Sequence, residues 1–150
     1  MRMIRKCMVL IRLDLNTILL FAESVIFLGW VRIQLLYHPF SKIAPSLGRY
    51  MAETDIELRV ENRIALLNIR NAIQIMSKYT FWESKCLVRA IAAMKMLERR
   101  RIGSTLYLGT GKDDSGKMIA HAWLRSGSLY ITGAEEMHRF TITGKFGKVI

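Results

Sequence analysis

A chain of 150 residues has room for one folded domain, and 51% hydrophobic residues with only two prolines exclude a disordered segment. Lys and Arg outnumber Asp and Glu by 23 to 12, a formal net charge of +11, which favours anionic partners without choosing among acidic peptides, nucleic acid and membrane surfaces. Cys7 and Cys86 make neither a disulfide framework nor a CxxC pair, so no metal and no redox couple is expected, and a reducing, cytoplasmic location is.

Arg2, Arg5 and Lys6 precede an apolar stretch, as in a signal peptide, but Arg12, Asp14 and Glu23 interrupt it. Neither a signal peptide nor a transmembrane helix is expected, and membrane contact is not predicted. From Leu15 to Tyr37 the residues Leu15, Ile18, Leu19, Ala22, Ile26, Gly29, Trp30, Ile33 and Leu36 recur at helical spacing, so this face is expected to turn inward. Pro39, Pro45 and Gly48 break the pattern into a turn region. A second helix is expected from about Glu57 to Tyr79 with Ile64, Leu67 and Ile75 inward. A third begins near Ser84, a good N-cap, and runs through Cys86 to the basic residues Arg99–Arg101, with Gly103 just beyond. Cations at that end suit the helix dipole and are expected to be solvated. Because Cys86, Ala90, Ala93 and Leu97 share one face, and Leu87, Ile91 and Met94 the next, this helix is expected to be central.

Beyond Gly103 the period changes from helical to alternating. Strands are predicted at Thr105–Gly109, Met118–Arg125 and Leu129–Thr132, with turns at Gly111–Gly116 and Ser126–Gly127 and a fourth strand around Thr141–Thr143.

Two side chains carry candidate chemistry. Cys86 stands in the first turn of the central helix, where unpaired N–H groups and the positive end of the dipole stabilise a thiolate. The alternative is an inert core cysteine. His121 lies mid-strand and shares its side of the strand with Ile119, Trp123 and Arg125, so it is expected to face the core. A helix start and an adjacent strand can bring thiol and imidazole together as nucleophile and general base. The backbone N–H of Cys86 is the natural oxyanion donor.

The run Trp82-Glu83-Ser84-Lys85-Cys86-Leu87-Val88-Arg89-Ala90, the helix end Leu97–Gly103 and the strand Ala120-His121-Ala122-Trp123-Leu124 together resemble the transglutaminase-like cysteine peptidases of lasso-peptide biosynthesis, the leader peptidases of that pathway. The resemblance implies an α+β fold with a papain/transglutaminase-like core, in which N-terminal helices and a central helix pack on a small antiparallel sheet. It implies one domain over residues 1–150, helical over 1–80 and carrying the catalytic helix and sheet over 81–150. The implied reaction is removal of the leader from a ribosomally made precursor, with Cys86 and His121 as the catalytic pair and no cofactor.

Implied partners are the precursor, a separate leader-recognition protein of winged-helix type and the lasso cyclase; nucleic acid is not among them. The basic surface and the first apolar helix are the expected docking regions. In many relatives an orienting Asp stands where this chain has Gly133. Glu135 and Glu136 are then the nearest carboxylates, with a backbone carbonyl or the Thr132 hydroxyl as alternatives for holding the ring. Trp82 and Trp123 are candidate substrate-lining residues. Two other readings stay open: a non-catalytic basic scaffold that binds an acidic peptide, and a Cys–His acyltransferase.

Overall fold

The computed structural model describes residues 14–80 and 85–150. Leu15–Tyr37 forms helix α1, as its periodicity predicts, and the chain leaves it at His38 because the residue before Pro39 is driven to extended backbone. The face that turns inward is not the expected one. Ser24, Leu28 and Val31 are buried, while Ile26 is 68% and Trp30 47% exposed, and the predicted stripe from Leu15 to Leu36 lies mostly on the outside. The helix is apolar around most of its circumference, so periodicity offered two equivalent faces. The buried Ser24 hydroxyl is satisfied by donating to the Leu20 carbonyl at 2.8 Å.

At 23 residues, with a mean hydropathy of 1.7 over its most apolar window, α1 also has the length and apolarity of a membrane span, against the expectation from sequence. Only Glu23 and Arg32 carry charge along it. Here its inner face packs against other helices of the chain.

The proline-containing region is ordered. It holds a one-turn helix α2 (Phe40–Ile43), a 3-10 turn at Ala44–Leu47 and a short strand β1 (Arg49–Tyr50) that the sequence did not reveal. The next helix, α3 (Arg63–Tyr79), starts later than expected, after a 3-10 turn at Val60–Asn62. Its inward residues are Leu66, Ile69, Ala72 and Ile73. Ile64 and Ile75 are exposed and Leu67 is partly buried, a rotation of the face that the same three- and four-residue spacing permits.

Helix α4 (Cys86–Arg99) is central, as expected: Val88, Ala90–Met94, Met96 and Leu97 are all buried, and each such Leu, Ile or Val stabilises the fold by about 1.5–3 kcal/mol. Its N-cap is Lys85, which makes no side-chain cap; Ser84 lies outside the described residues.

The basic end of α4 is not simply solvated. Arg100 grips both carboxylate oxygens of Glu23 on α1 at 2.9 and 2.7 Å, and Arg99 adds a third contact at 2.8 Å. Burial pushes the Glu23 carboxyl up, but the Arg100 hydrogen bond and the charges of both arginines outweigh it, so the group stays ionised below the ordinary carboxylate range. The stability this clamp supplies is present above that range and is lost as pH falls through the lowered value. Urea midpoints between pH 7 and pH 3 should therefore drop more steeply for the wild type than for Glu23→Gln, which lacks the titrating group.

Strands β2 (Ser104–Lys112), β3 (Met118–Ser126), β4 (Leu129–Thr132) and β5 (Thr141–Lys148) complete an antiparallel sheet in the order β1-β5-β2-β3-β4. The fourth predicted strand is longer than expected and enters the sheet beside β2. In the β2–β3 turn the Asp113 carboxylate accepts from the Ser115 and Lys117 backbone N–H groups at 2.9 Å, an Asx-type closure. One face of the sheet, with Leu106, Ala122, Leu124 and Phe146, joins the apolar core formed with α4.

The opposite face carries Tyr107, His121, Trp123 and Arg125, as strand alternation requires. It is partly covered by residues 53–55. Arg125, 5% exposed, holds that segment by donating to the carbonyls of Thr54 and Asp55, and it also bonds the Tyr107 hydroxyl and the Gly127 carbonyl.

Candidate active site

His121 sits where β3 lies against β2, directly opposite Gly109. The expectation that it faces the main core is corrected, since its neighbours Ala122 and Leu124 take that side. The imidazole is instead half-buried in an aromatic layer, stacked on Phe140 at 4.9 Å between ring centres and beside Trp123 at 5.8 Å. Gly109 makes room for this layer: a Cβ there would stand 2.9 Å from the Trp123 ring and 3.0 Å from Phe140. A β-bulge in the β2–β5 pairing falls at the same glycine, the place where a strand glycine signals close approach.

His121 Nε2 lies 2.8 Å from the Gly133 carbonyl oxygen. A carbonyl only accepts, so Nε2 carries the proton and Nδ1 of the neutral ring keeps its lone pair. The residue that replaces the expected Asp thus orients the ring through its backbone. Gly133 has φ +73°, and a Cβ on it would come 2.6 Å from the Ala122 carbonyl oxygen and 3.0 Å from His121 Nε2. Glycine permits the turn that aims this carbonyl.

Glu135 and Glu136 make no hydrogen bond to His121. Both are exposed, Glu136 as the N-cap of the 3-10 turn Met137–Arg139. The Thr132 hydroxyl is buried and has no hydrogen-bond partner among the described residues.

Cys86 is the first residue of α4, partly buried against the core. Its backbone N–H is among the first-turn groups that have no acceptor within the helix. Helix α4 packs on β3 from the core face of the sheet, whereas the His121 side chain lies on the other face, and no hydrogen bond joins thiol and imidazole among the described residues. Catalytic hydrogen bonds are commonly long in unliganded enzymes and tighten when substrate binds.

Trp123 is 3% exposed and stacked on Tyr107 at 5.6 Å, so it serves as a wall behind the imidazole and has little surface to offer a substrate. Trp82 lies outside the described residues. No group of three or more His, Cys, Asp or Glu suited to a metal ion occurs among the described residues.

Sequence reasoning left open which group holds the ring and missed the aromatic layer. The signals were Gly109 and Gly111 inside a strand pattern and the glycine at 133, each marking a backbone approached closely by something else.

No curated protein and no solved structure matches the chain. The family model of the transglutaminase-like superfamily matches residues 31–144, from within α1 into β5, a stretch that includes Cys86, His121 and Gly133. With most of its length matched, the chain belongs to the transglutaminase-like superfamily.

Proposed function

We propose that the protein is a cysteine peptidase that removes the leader from a ribosomally made lasso-peptide precursor, acting with a separate leader-recognition protein of winged-helix type and ahead of the cyclase. The observation that carries the reading is the His121–Gly133 hydrogen bond, which leaves Nδ1 free as a base on a strand packed against the helix that begins at Cys86. Superfamily membership and the motifs around Cys86 and His121 support the same pair.

In this mechanism His121 Nδ1 takes the Cys86 proton as the sulfur attacks the scissile carbonyl. The Cys86 backbone N–H faces the developing oxyanion. The imidazolium keeps its Nε2–H on the Gly133 carbonyl and returns the Nδ1 proton to the leaving amine, giving a thioester that water hydrolyses.

Mass spectrometry of a precursor incubated with the protein and its recognition partner tests the reading. Hydrolysis yields leader and core whose masses sum to the precursor plus one water. A product carrying an added amine would instead identify an acyltransferase, and an unchanged precursor would leave the scaffold reading.

A further inference from the structure

Beside the Gly133 turn a cavity of about 520 Å³ opens between α3, α4 and β4. Arg70 and Gln74 line it from α3, Arg89 from α4, and Thr132, Gly133 and Glu135 from the end of β4. Two of its polar groups are unsatisfied: among the described residues, Arg89 Nε and Thr132 Oγ1 are both buried without a hydrogen-bond partner, and Thr132 is only 9% exposed. An unpaired buried donor costs about 1–3 kcal/mol, so such groups call for a ligand.

No ion pair involves either Arg70 or Arg89 among the described residues. Lys95, Arg99, Arg100, Lys145 and Lys148, by contrast, all form ion pairs. Among the described residues the one carboxylate on the cavity wall is Glu135, which is exposed and bonds to neither guanidinium.

We infer that this cavity is a substrate subsite for an acidic side chain, whose carboxylate is held by the Arg89 and Arg70 guanidiniums with the Thr132 hydroxyl as a further donor. The inference rests on the peptidase reading for its place in catalysis. Arg89 lies one helical turn after Cys86, and Gly133 holds His121, so a side chain seated here belongs to a peptide lying across the candidate pair. Planar guanidinium forks match a carboxylate in two-point geometry, and two such groups against one Glu135 leave the cavity cationic. The net charge of +11 draws acidic peptide to the surface in the same sense.

Binding alone tests this, independently of cleavage, in Cys86→Ala protein labelled with nitrogen-15. Arginine Nε–H resonances are followed during titration with N-acetyl-glutamate amide or with N-acetyl-glutamine amide. The glutamate probe is expected to shift the Arg89 and Arg70 signals saturably, with the glutamine probe at least about tenfold weaker. Arg89→Gln, its fold checked by the rest of the spectrum, is expected to remove that preference. Equal response to the two probes, unmoved arginine signals, or a preference that survives in Arg89→Gln combined with Arg70→Gln would overturn the subsite. The glutamate–glutamine comparison needs no arginine variant, so a misfolded variant does not decide the outcome. Failure of the wild-type protein to cleave the precursor, with the glutamate preference intact, would count against the peptidase reading alone.

Discussion

Replacing Cys86 by alanine is expected to lower peptide hydrolysis by at least about 10³-fold while leaving the melting temperature near that of the wild type. The sulfur is the attacking atom in the proposed mechanism, and no other described side chain near His121 offers a comparable nucleophile. The thiol is only partly buried at the helix start, so trimming it leaves a small, accessible gap. His121→Ala should cost a similar factor. The double variant should be little worse than either single one, because nucleophile and base act as a unit. Initial rates and thermal melts of the three variants check this.

Gly133 is expected to be nearly as sensitive, for a reason rooted in the backbone. Gly133→Ala places a methyl 2.6 Å from the Ala122 carbonyl oxygen and 3.0 Å from the imidazole, at a φ of +73° that costs an L-residue about 1–2 kcal/mol. The turn must shift, and the carbonyl that fixes the Nε2–H tautomer shifts with it. A ring in the wrong tautomer cannot accept the thiol proton, so kcat should fall by about 10²-fold or more with KM little changed. Gly133→Asp should fail to rescue even though it supplies the carboxylate many relatives carry, because its Cβ meets the same atoms. Steady-state kinetics of both variants, with melting temperatures alongside, separate this effect from unfolding.

The parts of the fold legible in sequence were those where local pattern and tertiary packing agree. Helix α1 has the predicted bounds, α4 is central, and the hairpin strands β3 and β4 lie within a residue of expectation. The errors came where one sequence satisfies two arrangements. On α1 and α3 several apolar stripes have helical spacing, and only the position of the sheet and of α4 selects among them. Strand β1 is two exposed residues, Arg49 and Tyr50, paired at the sheet edge, too short for any periodicity to reveal.

The candidate site divides in the same way. Cys86 and His121 stand out as candidates from residue type and element position, and the family match spans both positions. What surrounds His121 was not, because its partner is a main-chain atom and its wall is assembled from Gly109, Trp123 and Phe140, brought together only by strand register. A carboxylate search could only point to Glu135 and Glu136, which bear no such relation to the ring. Arg125 illustrates a third limit: strand alternation places it on the His121 side but does not reveal that carbonyls of a segment about seventy residues earlier bury it.

The central claim, that Cys86 is the nucleophile of a peptide hydrolase, is tested most directly by graded alkylation of a Cys7→Ser variant with iodoacetamide. Residual precursor cleavage is plotted against the fraction of Cys86 modified, read by peptide mass spectrometry. The account predicts that activity falls in proportion to modification and reaches zero when Cys86 is fully alkylated. Cleavage at the unmodified rate with Cys86 fully blocked would contradict it.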